Sequence, residues 1–214
     1  GKSSNLLQVA YNYNERGMNV LLMRPSIDTK GFDRVVSRGM KDSRKVDFLL
    51  SPNINIYDLV VDYLKNNSKK YVNNNELLNL IKQFESDPNK INKIYNTFSD
   101  YLIEKNYDNK FDKILSAILI DEAQFLTEKQ VKELSDITVI LDIPVICFGL
   151  RTDFLGNLFP GSEALFRYAN SLEELTTVCI CGKKALHNAR LINGKYVSSG
   201  SQVAIDEKDD VSYI

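Results

Sequence analysis

The sequence predicts an α/β fold in which helices flank a parallel β-sheet, with a small second domain at the C-terminal end. Two apolar runs rich in Ile and Val, residues 116–121 and 143–150, predict buried strands. The amphipathic stretch 127–141 between them predicts a helix. Strand, helix and strand in this order form a βαβ unit, which requires a parallel sheet and a right-handed crossover.

The chain opens with a predicted helix that leads into a strand. Apolar residues at helical spacing precede Gly17, where we expect this helix to end, and residues 19–23 predict a short buried strand. Residues 62–113 are rich in Asn, Lys, Tyr and Glu, and their regular apolar positions predict two helices rather than a disordered linker. Near the C-terminal end, strand-like pieces surround Asn193 and Gly194, a pair that predicts a β-hairpin.

Composition limits the classes of function. The 214 residues carry a formal net charge of -1, so no basic excess is available for gripping nucleic acid. No apolar run reaches the ~18 residues of a membrane span, and the first residues lack the order of a signal peptide. The three cysteines fit a reducing cytosol better than a disulfide framework. We therefore expect a cytoplasmic protein with no nucleic-acid or membrane partner.

The first residues resemble the end of a phosphate-binding loop. Gly1, Lys2 and Ser3 open the predicted first helix, and backbone N–H groups at a helix N-terminus bind phosphate. In such a loop Lys2 would lie against the β and γ phosphates of a nucleotide, and Ser3 would give its hydroxyl to Mg²⁺. The alternative is a polar N-terminus with an ordinary Ser cap.

Two adjacent carboxylates end the predicted strand 116–121. Asp121 lies where nucleotide-binding α/β proteins hold Mg²⁺ through water, although an Asp here can also cap the next helix. Neighbouring side chains diverge at a strand end, so Glu122 can reach another group and take a proton from a substrate hydroxyl. A kinase mechanism requires Glu122 to lie in a cleft shared with Lys2.

Cys179 and Cys181 predict a zinc site of which two ligands are still to be found. They lie in the sequence CICG, where a turn can bring two thiolates to one Zn²⁺. Tetrahedral zinc needs four ligands. His187, the only histidine of the chain, is either one of the others or an exposed polar residue.

Together these motifs resemble type II thymidine kinases, a compact zinc-bearing class. The resemblance rests on GKSS and YNYNERGM near the start, LIDEAQFLT, the run from LDIPVICFGL to CICGKKA, and ARLINGKYV with GSQVAI. It implies a P-loop (RecA-like) domain over residues 1–175 and a zinc-binding β-ribbon and lasso domain over residues 176–214. The implied reaction transfers the γ-phosphoryl group of ATP, bound with Mg²⁺, to the 5′-hydroxyl of thymidine.

The resemblance also implies roles for the nucleotide-binding residues. Glu122 would be the general base on the 5′-hydroxyl, and the thymine edge would be read mainly by backbone groups of the lasso, residues 201–213. The phosphate loop would consist of Gly1, Lys2, Ser3 and Ser4. Magnesium would be held by Ser3 of this loop and by Asp121.

Aromatic and aliphatic side chains would enclose the thymine ring, and those that match the family positions are Phe125, Leu150, Phe154 and Phe159. Tyr213 would lie against the base, and Asn188 would lie near the thymine methyl group, where it could tune base preference. For the apolar ones plain core packing is the alternative, and for Leu150 it explains the residue equally well.

The resemblance further implies a structural zinc, a homotetramer and feedback inhibition by thymidine triphosphate (dTTP) at the active site. The first glycine of the phosphate loop would precede Gly1, and the remaining zinc ligands would follow Ile214. Three other functions stay open. They are a helicase-like motor, which DEAQ superficially matches, a zinc-ribbon binding module without catalysis, and a deoxynucleoside kinase with another base preference.

Overall fold

The computed structural model describes residues 1–26, 33–36, 43–68, 114–179, 181–185, 188–202 and 211–213. The helices are α1 (Lys2–Glu15), α2 (Ile56–Ser68), α3 (Glu128–Ile140) and α4 (Pro160–Tyr168), and a 3-10 helix spans Ala123–Phe125. The strands are β1 (Val20–Pro25), β2 (Arg34–Val36), β3 (Ser43–Lys45), β4 (Phe48–Leu50), β5 (Ala117–Ile120), β6 (Val145–Cys147), β7 (Arg190–Ile192), β8 (Lys195–Tyr196) and β9 (Val211–Tyr213).

A four-stranded parallel sheet in the order β4-β1-β5-β6 forms the centre of the fold. In the central pair, Val20 of β1 lies opposite Ala117 of β5, and Met23 lies opposite Ile120. Because all four strands point the same way, their carboxyl ends meet at one edge, where ligands bind in open α/β sheets. The predicted α/β fold with a parallel sheet is confirmed.

Helices cover both faces of this sheet, because alternate residues of the central strands point to opposite sides. Leu21 and Met23 pack in a cluster with the buried sides of α2, α3 and α4. Val20 and Leu22 pack on the other face with Leu6 of α1. Burying such a side chain stabilises the fold by roughly 1.5–3 kcal/mol, so the two clusters fix the helices on which the site is built.

α3 starts at a capping box, which fixes the length of the turn after β5. The Thr127 hydroxyl accepts a hydrogen bond from the Gln130 backbone N–H at 3.2 Å, and the Gln130 side-chain oxygen accepts one from the Thr127 N–H at 3.1 Å. The helix therefore begins seven residues beyond Asp121, which leaves the two carboxylates outside it, in the turn after β5.

A three-stranded antiparallel sheet in the order β8-β7-β9 lies near the C-terminal end. The predicted hairpin joins β7 to β8, and its two turn residues have the left-handed conformation, with φ 50° at Asn193 and 76° at Gly194. This is the geometry that Asn-Gly pairs favour. β9 pairs with β7 so that Tyr213 lies opposite Arg190.

Several elements were not anticipated from the sequence. β2 and β3 form a separate antiparallel pair, and each strand is too short to carry a recognisable pattern. α2 begins at Ile56, ahead of the Lys- and Asn-rich segment, and the two helices predicted within 62–113 fall mostly outside the described residues. None of the helices in the described ranges has the length and apolar character needed to span a bilayer.

Candidate active site

The start of α1 and the carboxyl end of β5 place Lys2 beside Glu122. The Lys2 Nζ lies 3.6 Å from the Glu122 Oε2, and the two side chains are 24% and 23% exposed. Glu122 has a left-handed backbone, with φ 51°, which costs on the order of 1–3 kcal/mol in a residue other than glycine. This strained turn leaves the carboxylate accessible at the sheet edge and next to a lysine at a helix N-terminus.

A hydrogen bond from the buried side chain of Gln124 positions the Glu122 carboxylate. The Gln124 amide is 1% exposed, donates a hydrogen bond to the Glu122 Oε2 at 2.6 Å and accepts one from the Leu150 N–H at 3.1 Å. A Cβ at Gly149 would lie 3.0 Å from the Gln124 side-chain oxygen, so glycine permits this close approach. Gln124 was not predicted as a site residue. The sequence did contain a signal for it, because Gln124 is a polar residue among apolar ones, two positions after Glu122.

Asp121 lies deeper than Glu122 and in different surroundings. It is 3% exposed, and its Oδ2 lies 4.0 Å from the Nε of Arg24, which occupies the same edge on β1. Burial and, to a smaller extent, the charge of Glu122 raise the pKa of Asp121 to about 6, although Arg24 and Lys2 act to lower it. It does not cap a helix, since Thr127 caps α3.

Asp121 fits a cation. Within the described part of the chain, its Oδ1 is buried and has no hydrogen-bond partner. Burial disfavours the charged form of this carboxylate, and a cation beside it would stabilise that form. The Oδ1, which has no hydrogen bond to other described residues, could bind the cation directly or accept a hydrogen bond from a metal-bound water.

The N-terminus of α1 is suited to an anion. Gly1 is the N-cap and makes no side-chain capping bond, and the first turn contains no acidic residue. The ordinary Ser cap considered for this segment is therefore not seen. Ser3 and Ser4 are half-buried in the first turn. The uncapped N–H groups, the helix dipole and the neighbouring Lys2 all favour negative charge at this position.

The rings of Phe125, from the turn after Glu122, and Phe159, which precedes α4, are in contact. Their rings are 5.6 Å apart and edge-to-face at 81°. Phe159 is 5% exposed, so it belongs to the core in this structure, whereas Phe125 is half-buried. A Cβ at Gly161 would lie 2.6–2.8 Å from three carbonyl oxygens of the 123–126 turn, so only glycine lets α4 approach this closely.

Leu150 is half-buried three residues after the end of β6, and hydrogen bonds to its backbone hold it in place. Its carbonyl accepts a hydrogen bond of 2.6 Å from the Ser162 hydroxyl, and its N–H is bound by Gln124. Leu150 is therefore hydrogen-bonded both to the turn that carries Glu122 and Gln124 and to α4, which follows Phe159.

Arg190 brings Phe154 and Tyr213 together from distant parts of the sequence. Its Cζ lies 3.9 Å from the Phe154 ring centroid and 5.3 Å from that of Tyr213. Asn188 is half-buried two residues before β7, and among the described residues no hydrogen bond joins it to the other candidates. Arg190 had not been predicted as a site residue.

Cys179 and Cys181 lie in a tight turn closed by a backbone bridge between Val178 and Lys184. Both are free thiols. The backbone N–H of Lys183 and then the side chain of Cys179 lower the pKa of Cys181, which favours the thiolate that zinc requires. Within the described ranges no group of three or more His, Cys, Asp or Glu is placed to hold a metal, and His187 lies outside those ranges.

The fold and the site define an α/β protein of the parallel-sheet class, with a lysine at a helix start and acidic residues at a strand end, consistent with a P-loop fold. The family model described as "Thymidine kinase" matches residues 86–210, more than half of the chain. The chain belongs to the thymidine kinase family.

Individual relatives agree with this assignment. A thymidine kinase of Rhodopirellula baltica is 40% identical over 207 residues, which cover 96% of this chain and 75% of the relative. One from Legionella pneumophila (strain Paris) is 38% identical over 96% of this chain and 77% of its own length. One from Haemophilus influenzae (strain Rd) is 35% identical over 98% of this chain and 84% of its own length.

Proposed function

We propose that this chain transfers the γ-phosphoryl group of ATP to the 5′-hydroxyl of thymidine. The observation that carries the proposal is the Lys2–Glu122 pair, 3.6 Å apart at the carboxyl edge of the sheet, in a chain of the thymidine kinase family. The family match gives no support to the helicase-like motor or to the non-catalytic zinc-ribbon module.

In the proposed reaction Glu122 takes the proton of the 5′-hydroxyl. The oxygen forms a bond to the γ-phosphorus while the bond between that phosphorus and the β–γ bridging oxygen breaks, so that ADP leaves with the electron pair. Lys2 and the N–H groups of Gly1, Ser3 and Ser4 would stabilise the phosphates. Phosphoryl transfer depends mostly on positioning and charge stabilisation, and Gln124 supplies positioning by holding the Glu122 carboxylate.

Two metal sites belong to the proposal. Ser3 and Asp121 would hold Mg²⁺, which neutralises phosphate charge when bound, and the buried Oδ1 of Asp121 supports this assignment. Cys179 and Cys181 would supply part of a structural Zn²⁺ site, supported by their shared turn and by the lowered pKa of Cys181.

The thymine ring would lie among Phe125, Leu150, Phe154, Phe159, Asn188 and Tyr213. The division into residues 1–175 and 176–214, the homotetramer and inhibition by dTTP are further parts of the proposal. They are supported by the family resemblance. Elution volume on a sizing column, and thymidine turnover with added dTTP, test the last two.

The function is tested with Glu122→Gln in the full chain. Transfer of labelled γ-phosphate from ATP to thymidine should fall by roughly 10²–10⁴-fold, the usual contribution of a general base, while ATP binding is retained. Deoxyuridine and deoxycytidine, assayed in parallel, define the base preference. Glu173→Gln is the matched control, because Glu173 is exposed and lies outside the site.

A wild-type chain that phosphorylates no nucleoside with ATP would rule out the kinase proposal. A Glu122→Gln variant with wild-type kcat would rule out the role of Glu122 alone, and the base would then have to be sought elsewhere.

A further inference from the structure

We infer that Arg190 is a positioning residue for the nucleoside base: it holds Phe154 and Tyr213 in one fixed arrangement, so that both rings can face the same ligand. This inference rests on the proposed function, because it concerns how the base of the acceptor is held. It adds a residue that is not among those proposed to bind the phosphates or to act on the reacting hydroxyl.

The Arg190 side chain is buried and contacts several neighbours. It is 2% exposed, its Nε donates a hydrogen bond to the Tyr213 hydroxyl at 3.0 Å, and its Nη2 donates one to the Gln202 carbonyl at 3.1 Å. Its guanidinium also lies over the Phe154 ring, 3.9 Å from the centroid, well inside the ~6 Å range of cation–π attraction. One side chain thus connects three segments of the chain.

The partners of Arg190 are unusual for a buried cation. Among the residues that the structure describes, none of the carboxylates is in ion-pair contact with it. Burying a charge is costly unless polar or aromatic partners compensate. Here ring faces and neutral oxygens compensate, and they suit the planar, forked donor set of Arg rather than the point charge of Lys. Close packing continues at Gly200, where a Cβ would lie 3.2 Å from the Arg190 Nη1.

A second set of contacts ties the same segments together. The Gln202 side chain donates to the Asp153 carboxylate at 3.3 Å and to the Leu158 carbonyl at 3.1 Å, while Arg190 binds the backbone of Gln202. The loop that carries Phe154 is therefore anchored to the C-terminal sheet at several points. Because the guanidinium covers one face of Phe154, only the other face and the ring edge can contact a ligand.

The inference is tested by steady-state kinetics with Arg190→Met and Arg190→Lys, measuring KM for thymidine and for ATP separately. Arg190→Met should raise KM for thymidine about tenfold or more, the scale of a lost cation–π contact together with a lost hydrogen bond, and leave KM for ATP unchanged. Arg190→Lys should recover part of the loss. Arg16→Met is the control, since Arg16 is exposed at the end of α1.

Tyr213→Phe is a second variant in case Arg190→Met does not fold, because it removes only the hydroxyl that Arg190 binds. It should raise KM for thymidine about threefold, the scale of one weak hydrogen bond. If the two residues act together, the rise of KM in the double variant Arg190→Lys/Tyr213→Phe should be smaller than the product of the rises in the two single variants.

Wild-type KM for thymidine in Arg190→Lys and Tyr213→Phe, or independent effects in the double variant, would overturn the role of Arg190. A purely structural role would lower the melting temperature and the active fraction without moving KM. Failure of the wild-type chain to phosphorylate thymidine would instead overturn the proposed function.

Discussion

Asp153 shows how one buried carboxylate can order a loop that carries a candidate site residue. It is 3% exposed, and its Oδ1 accepts hydrogen bonds from the N–H groups of Leu155 at 2.8 Å and Asn157 at 2.9 Å. Burial acts to raise its pKa, but these backbone bonds and the side chains of Asn157 and Gln202 hold that pKa below its usual value. The loop around Phe154 therefore depends on a charged Asp153.

A pH dependence of stability follows from Asp153. A carboxyl with a lowered folded-state pKa contributes stability that is present above its unfolded pKa of about 3.9 and is lost as pH falls through the folded value. Asp153→Asn should lower the free energy of unfolding by about 1 kcal/mol at pH 7, and the difference from wild type should shrink below about pH 4. Urea unfolding from pH 3 to pH 7 measures this, and a constant difference would contradict it.

At the scale of elements, the contact between α4 and the turn after β5 depends on Gly161. A Cβ there would lie 2.6 Å from the Ala123 carbonyl oxygen, so Gly161→Ala must push the helix away from the turn that carries Glu122 and Gln124. We expect a loss of about 1–3 kcal/mol in stability and a raised KM for thymidine, because Phe159 immediately precedes the helix. Thermal melts and steady-state kinetics measure the two effects.

Gly17→Ala is the control for Gly161→Ala. Nothing lies within 4 Å of a Cβ at Gly17, so only its left-handed backbone, with φ 71°, opposes the substitution. It should reduce stability and leave KM for thymidine unchanged. An equal rise of KM in both variants would mean that the effect at residue 161 comes from general destabilisation.

Elements with a strong local signal could be predicted from the sequence, and those fixed by tertiary contacts could not. The apolar strand β5, the capped helix α3 and the Asn193–Gly194 turn each carry their own pattern. In contrast, β2 and β3 are only three residues long, and their pairing with each other and the burial of Val35 against α1 make them strands. Their sequence has no periodicity from which to predict them.

The same distinction holds for the candidate site across the whole molecule. Asp121, Glu122 and Lys2 were predicted because each stands at a recognisable strand end or helix start. Arg24 shares the edge of Asp121 only because β1 and β5 are adjacent, and Arg190 meets Phe154 only because the C-terminal sheet packs against the 151–159 loop. These residues are far apart in the sequence, and only the topology of the fold makes them neighbours.

The proposed zinc site leads to a prediction about the molecule as a whole. In the sequence, Cys179 and Cys181 follow the strands of the parallel sheet and precede the strands that carry Arg190 and Tyr213. If zinc orders that second unit, a chelator should abolish thymidine binding while the central sheet stays folded, because the sheet is stabilised by its own two hydrophobic clusters. Binding of an ATP analogue, which would use Lys2 and Asp121, should then persist.

Calorimetric titration of thymidine and of the ATP analogue, before and after chelation, separates these effects, and far-ultraviolet circular dichroism follows the fold. Cys181→Ser should lose zinc by elemental analysis and behave like the chelated protein. Cys147→Ser is the control, since that thiol belongs to β6, where burial raises its pKa to about 12 and disfavours the thiolate that zinc binds. Equal loss of both ligands on chelation would instead mean that the two units unfold together.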